Sequence, residues 1–232
     1  MSTFTDKLRQ YGVLRTIQFA FSELIQKYYY QAVLGSYSQT QEDLLLDRLT
    51  GRKAKGFYVD VGAYDPFRFS NTMRFYKRGW RGINIEPNTE NWKRFKKHRA
   101  RDINLNVGVG NKKGALLFYS IDPPTLSTFS SRQAAEYKKQ NFKILSKKSV
   151  KVVPLGDILK KHAADCQIDF LSMDVEGFEI SALRGNDWKR FRPTILCIEA
   201  THGKTVENYL QTVGYKKISD NGLNAFYKDI YE

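Results

Sequence analysis

Four stretches of the chain end an apolar run on an acidic side chain, and these are the residues with chemistry to offer. Phe57-Tyr58-Val59-Asp60-Val61 stops at Gly62, and Gly82-Ile83-Asn84-Ile85 stops at Glu86-Pro87. Ile168 to Met173 runs into Asp174, and Leu196-Cys197-Ile198 delivers Glu199, with His202 three residues on. A carboxylate just past a second strand, some 20 residues beyond a glycine turn, is where nucleotide-binding α/β folds hold the two ribose hydroxyls. Glu86 fits that place, with Asp60 and Gly62 bordering the same ligand. Only one glycine is present rather than a dinucleotide triplet, and no Gly-Lys-Ser/Thr phosphate loop occurs, which argues against NAD and ATP. A cofactor without a pyrophosphate remains, and S-adenosylmethionine fits. Asp174, Glu199 and His202 suit either a base with its orienting partner or an oxygen-and-imidazole site for a divalent cation. The sequence leaves that choice open. At the end of a further strand, Asn106 could hydrogen-bond an adenine ring while Val107 packs on its face. The plainer alternatives are that Asp60 caps a turn, that Asp174 and Glu176 cap a helix starting near Gly177, and that His202 is structural.

The elements needed to position these groups follow from the apolar patterning. Strands are expected at 57–61, 82–86, 102–107, 115–120, 150–153, 168–173, 194–200, 214–218 and 223–228. Helices are expected near 70–78, 88–99, 155–163, 177–185 and 203–212. Alternation of this kind gives an α/β fold, a mostly parallel sheet covered on both faces. Asn221-Gly222 between the last two strands signals a hairpin. A mostly parallel seven-stranded sheet ending in an antiparallel hairpin is the outline of the class I methyltransferase (Rossmann-like) fold. Residues 121–149 break the rhythm and read as an insert, a substrate-binding lid or a mobile loop. Trp92, Phe95 and Arg99 share a helical face whose other side is cationic, the pattern of a solvated helix covering a sheet. Residues 4–34 read as an amphipathic helix, so the expected organisation is an N-terminal helical extension over 1–36 and a catalytic domain over 37–232. Thr40 is the expected cap of a helix over 41–49.

The 232 residues carry a formal net charge of +14, with 41% hydrophobic and 14% aromatic side chains. That composition supports a real core and excludes a disordered or fibrous chain. The charge favours an anionic partner: an acidic glycan, a membrane surface or a nucleic acid. Cys166 and Cys197 adjoin apolar runs and read as buried thiols of a reducing cytosol. No leader is visible, and Ile17–Ile25 contains Gln18, Ser22 and Glu23, which argues against a transmembrane span.

Several of these stretches together resemble the FkbM family of S-adenosylmethionine-dependent methyltransferases, over roughly Tyr37 to Tyr227. The marks are Ser38-Gln39 with Glu42-Asp43, Val59-Asp60-Val61-Gly62-Ala63, Arg68-Phe69-Ser70-Asn71-Thr72, the run Tyr76 to Pro87, and Met173-Asp174-Val175-Glu176-Gly177-Phe178-Glu179. Tyr64-Asp65 departs from the family pattern. The resemblance implies S-adenosyl-L-methionine held by Asp60, Gly62, Ala63, Asp65, Ser70, Asn71, Glu86, Pro87, Asn106, Val107 and Asp174. It implies O-methyl transfer to a sugar hydroxyl of a polysaccharide, lipopolysaccharide or related glycan, with Asp174, Glu199 and His202 handling the hydroxyl proton, or a divalent metal doing so. The expected partners are an anionic or lipid-linked saccharide acceptor, a peripheral membrane contact through the N-terminal helix, and a homo-oligomeric copy, in a cytoplasmic setting. The rival expectations are an RNA methyltransferase and a non-catalytic membrane-associated binding module.

Overall fold

The computed structural model describes residues 13–14, 17–18, 21, 24–200 and 203–231, the side chains of 26–28 excepted. The N-terminal helical stretch closes as α1 (Ile25–Leu34), wound with π-helical turns and stopped at Gly35 in the left-handed region. Then come α2 (Glu42–Leu49), β1 (Phe57–Val61), α3 (Met73–Lys77), β2 (Arg81–Ile85), α4 (Thr89–His98), β3 (Ile103–Leu105) and β4 (Gly108–Gly110). The central part is β5 (Gly114–Asp122), α5 (Ser131–Lys139) and β6 (Lys143–Pro154), and the chain ends with α6 (Leu155–His162), β7 (Phe170–Met173), α7 (Glu179–Leu183), β8 (Ile195–Glu199), α8 (Gly203–Thr212), β9 (Tyr215–Asp220) and β10 (Asn224–Asp229).

Seven strands form one sheet in the order β3-β2-β1-β7-β8-β10-β9. All neighbours are parallel except β8–β10 and β10–β9. This is the expected class I methyltransferase arrangement. The strands are buried on both faces, so they read as nearly continuous apolar runs. Alternation sorts their side chains into two cores. Val59, Val61, Ile83, Ile85, Leu171, Met173, Leu196 and Ile198 face the helices α6, α7 and α8. Tyr58, Phe170, Cys197 and Phe226 face Leu46, Phe75 and Trp80 on the other side. Strand order reverses between β1 and β7, and there ligands of open α/β sheets sit beyond the carboxyl ends.

Several expectations are corrected. The expected strand over 102–107 is the shorter β3 of the main sheet, and the unexpected β4 follows it in a second sheet of order β4-β6-β5. The insert at 121–149 is no loop, because the antiparallel ladder of β5 and β6 reaches into both its ends, at Asp122 and from Lys143, and α5 fills its middle, packing on them through Ile121, Ala134 and Tyr137. Its lysine-rich alternation hides the strand. Thr40 does not cap α2; Gln41 precedes the helix at φ 67, and Thr40 bonds to Glu42 instead. Cys166 is exposed, while Cys197 is buried as expected. Arg99, by contrast, keeps to the face expected for it with Trp92 and Phe95, and is fully buried. Its guanidinium donates to Tyr58 OH at 3.1 Å, Ser70 Oγ at 2.9 Å and the Pro66 carbonyl at 3.0 Å, locking the loop after β1 onto the sheet.

Candidate active site

A cavity of about 1060 Å³ opens over the carboxyl ends of β1, β2, β7 and β8. Its floor is Asp60, Gly62 and Ala63 from β1, Glu86 and Pro87 from β2, Asp174 from β7 and Glu199 from β8. The roof is the insert, through Phe118, Pro123, Leu126, Phe129, Tyr137 and Leu145. That volume is at the upper end of what encloses small-molecule ligands, enough for a nucleoside-sized cofactor with part of a second substrate.

On the β1–β2 side each carboxylate is already held. Glu86 is 5% exposed and accepts the Tyr64 N–H at 2.8 Å and the Asn88 N–H at 2.6 Å, one on each oxygen. A carboxylate offers about four acceptor sites, so each oxygen keeps one for an incoming hydroxyl. Burial pushes the Glu86 carboxyl up to about 8 against the pull of those N–H groups. Asp60 accepts the Thr72 hydroxyl at 2.8 Å, and burial lifts it to about 6 while Thr72 and Arg99 oppose the rise. The strand tips meet at Gly62: its φ is +79, and a Cβ there would sit 1.8 Å from the Asp174 carbonyl oxygen. Only glycine lets β1 and β7 pass this closely. The close approach that the glycine permits is therefore to Asp174, within the protein.

On the β7–β8 side carboxylates crowd one another. Asp174, Glu176 and Glu199 each bring an oxygen within 4.8 Å of the other two. Asp174 opens onto the cavity, yet the surrounding protein and the neighbouring Glu199, Glu176 and Glu179 together push its carboxyl well above the usual range. Burial and Glu199 push Glu176 to about 8. The insert pins Glu176 from above: Tyr137 donates its hydroxyl to the carboxylate, and Thr128 Oγ1 donates to the backbone carbonyl at 2.8 Å. Glu176 itself sits at φ 51. Neither Asp174 nor Glu176 caps a helix, since α7 begins only at Glu179.

Of the residues singled out in the sequence, Asp60, Gly62, Ala63, Asp65, Asn71, Glu86, Pro87, Val107, Asp174 and Glu199 all line this one cavity. Asn71 donates to Ser172 Oγ at 2.9 Å, which fixes it at the wall. Asp65 has its carboxylate taken up by the Phe67 and Arg68 N–H groups and by Arg94. Ser70 is fully buried on Arg99 and does not line the cavity. Asn106 does not line it either; its amide donates to the Glu86 and Pro87 carbonyls at 2.8 and 3.0 Å, bracing the loop that carries Glu86. His202 lies outside the described residues. Glu42, quoted above only as a mark of the resemblance, also lines the cavity, as do Asn224 and Tyr137, which the sequence did not assign to a site. Glu42 and Asp43 sit buried in the first turn of α2. Tyr137 gave no signal, because nothing local marks a residue that reaches a carboxylate 39 positions away.

A family model described as the Methyltransferase FkbM domain matches residues 60–217, more than two thirds of the chain. The chain belongs to the FkbM methyltransferase family. A search of curated proteins returned no match. Among solved structures, a methyltransferase FkbM from Methylobacillus flagellatus KT is similar at 18% identity and a TM-score of 0.47, covering 98% of this chain and 62% of that one. This FkbM-family chain thus spans less than two thirds of that protein's length. The METTL16 MTase domain is similar at 9% identity and TM-score 0.43, over 83% of this chain and 67% of that one. The C-terminal domain of precorrin-6Y C5,15-methyltransferase from Rhodobacter capsulatus is similar at 11% and 0.38, over 80% and 84%.

Proposed function

We propose that this FkbM-family chain transfers the methyl group of S-adenosyl-L-methionine to a hydroxyl oxygen of a saccharide. The observation that carries the reading is the single cavity with two unlike ends. Glu86 keeps two acceptor positions for ribose hydroxyls at one end, and a crowded set of carboxylates stands at the other. Asp60, Gly62, Ala63, Pro87 and Val107 border the cofactor, with Asn71 at the wall between; Ser70, Asp65 and Asn106 support them from behind. The sulfonium is cationic, and a pocket rimmed by carboxylates favours it. Transfer is an in-line displacement: the acceptor oxygen takes the methyl carbon, the carbon–sulfur bond breaks, and the hydroxyl proton must leave. Asp174 is the group assigned to take that proton, with Glu199 and Glu176 raising its proton affinity and His202 as a further candidate. A carboxylate whose pKa is lifted toward neutrality is the better base. The same three carboxylates suit a divalent cation bound through oxygen, which would supply a lowered hydroxyl pKa.

Residues 37–232 act in this reading as the catalytic domain and 1–36 as an extension. The described part of that extension exposes Val13, Leu14, Ile17, Phe21 and Leu24, which favours a peripheral contact with a membrane or a second copy. Among the described residues, no helix is long and apolar enough to cross a membrane. A cytoplasmic site and an anionic or lipid-linked glycan acceptor go with the +14 charge. The decisive experiment is labelled-methyl transfer to a panel of glycans and to RNA, with and without a chelator, alongside calorimetric titration of the cofactor. Transfer to glycan supports the reading; transfer to RNA alone replaces it, and no cofactor binding removes it.

A further inference from the structure

Residues 111–151 hold nine lysines and arginines against two acidic residues, a net +7 of the chain's +14. Lys143, Lys147, Lys148 and Lys151 are all exposed along β6, and none forms an ion pair among the described residues. The partner strand β5 is the edge of its sheet. Leu116, Leu117 and Leu145 on the same ladder are 40%, 51% and 62% exposed. Register and alternation sort the two kinds by face: Leu117 stands opposite Ser149 on the face that carries Lys147 and Lys151, whereas Leu116 and Lys148 share the other face with the buried Phe118. Exposed leucines set among lysines without counter-ions combine the two terms that bind a protein to an anionic bilayer, apolar burial at the headgroup boundary and attraction to anionic lipid.

We propose that the face of the β5–β6 ladder carrying Leu117, Lys147 and Lys151 is a docking surface for an anionic lipid bilayer. Phe118 and Leu145 of the same ladder line the cavity, so a bilayer seated here lies beside the cavity mouth. A second copy using this face on itself would set the same cations against one another. A single-stranded nucleic acid would call for exposed aromatic platforms and arginine forks. Here Tyr119 packs into the small core under α5 with Lys147 over its ring, and Arg132 is the one arginine of the segment. An acidic polysaccharide would engage the lysines and leave the leucines without a role. The inference goes beyond methyl transfer and does not rest on it, because vesicle binding is read without turnover.

The test is flotation of the full chain with vesicles of phosphatidylcholine, or of phosphatidylcholine with about 30% phosphatidylglycerol, from about 50 mM to about 500 mM salt. Three chains are compared: the unaltered one, Lys147→Glu/Lys151→Glu, and Leu117→Ser. The expected result is binding to the anionic vesicles only, at least about tenfold weaker in the lysine variant, several-fold weaker in the leucine variant, and falling with salt. Circular dichroism and cofactor titration confirm that each variant is folded; should charge reversal unfold the chain, Lys147→Gln/Lys151→Gln takes its place with the same expected direction. Equal binding of all three chains moves any membrane contact to the N-terminal segment and overturns the proposal. So does equal binding to neutral vesicles, or binding to polygalacturonate or RNA with none to vesicles. Absence of cofactor binding would strike the methyl-transfer reading and leave the vesicle result standing.

Discussion

The two ends of the cavity handle negative charge in opposite ways. At the β1–β2 end, Glu86 and Asp60 each accept hydrogen bonds from the protein, and repulsion from a neighbouring carboxylate acts on each only as a lesser influence than burial. At the β7–β8 end, Asp174, Glu176 and Glu199 are brought within reach of one another, and one phenol reaches them from the roof. The first arrangement is preorganised: its donors set the carboxylate orientation before a ligand arrives, so little ordering remains for binding. The second stores electrostatic repulsion that a proton, a cation or a polarised hydroxyl relieves. Acid–base work concentrates at the second kind of place, where neighbours push pKa values away from their usual range. Both ends are joined through the contact between Gly62 and the Asp174 carbonyl.

The sharpest way to separate them is to remove one charge from the crowded end. Asp174→Asn is expected to lower turnover by about 10²–10⁴, the usual contribution of a positioned base, while the cofactor dissociation constant stays within about threefold. Single-turnover methyl transfer and calorimetry read the two quantities, and a parallel loss in both would erase the division of labour. The joint is the next target. Gly62→Ala puts a Cβ against the Asp174 backbone in a left-handed conformation, so the expected loss is about 3 kcal/mol, or a Tm lower by about 6–12 °C. An unchanged melting curve would mean that the strands separate there without cost. At the ordered end, Glu86→Ala removes both acceptor positions for the ribose and leaves the Tyr64 and Asn88 N–H groups without their partner. Each hydrogen bond to a charged group contributes roughly 1.5–3 kcal/mol, so the cofactor should bind roughly 100-fold more weakly. A loss below about threefold would remove Glu86 from the cofactor site.

The ordered end was also the more legible in the sequence. An apolar run ending on Asp60-Val61-Gly62 and another ending on Glu86 are local patterns, and parallel pairing of β1 with β2 follows from the alternation of strand and helix. The crowded end was half legible. Asp174 and Glu199 announce themselves at strand tips, but Glu176 looked like a helix cap because the chain turns twice through left-handed geometry, at Glu176 and Gly177, before α7 starts. Tyr137 was invisible, since its approach depends on how α5 lies across β5 and β6. The insert misled for a related reason. Four irregularly spaced lysines in the twelve residues of β6 mimic a solvated loop, whereas a ladder ending on an edge strand tolerates charge on its outer side. Arg99 was half legible: helical spacing set it with Trp92 and Phe95 apart from the other cations, but nothing local marked Tyr58, Ser70 and Pro66 as the partners it turns inward to meet.

The smallest effect is a pH dependence that should belong to the ordered end alone. Burial holds Glu86 at about 8, so in the cofactor-free protein it is mostly protonated below that pH. Two ribose hydroxyls donating to it favour the ionised form, and cofactor binding below about pH 8 must then release a proton. Affinity is expected to rise by up to about tenfold per unit between about pH 6 and about pH 8, roughly 1.4 kcal/mol per unit, and to level off above. Asp60, at about 6, adds to the slope only at its lower end. Stability runs the other way. With its folded pKa raised, the Glu86 contribution to stability is full below the unfolded value near 4.3 and is lost as pH rises through about 8, so the free protein should melt earlier at alkaline pH. Cofactor offsets that loss by mass action. Calorimetry across this range on the unaltered chain, Glu86→Gln and Asp174→Asn decides the matter. Glu86→Gln should flatten the slope and Asp174→Asn should keep it; the reverse pattern would assign the titration to the crowded end and undo the contrast between them.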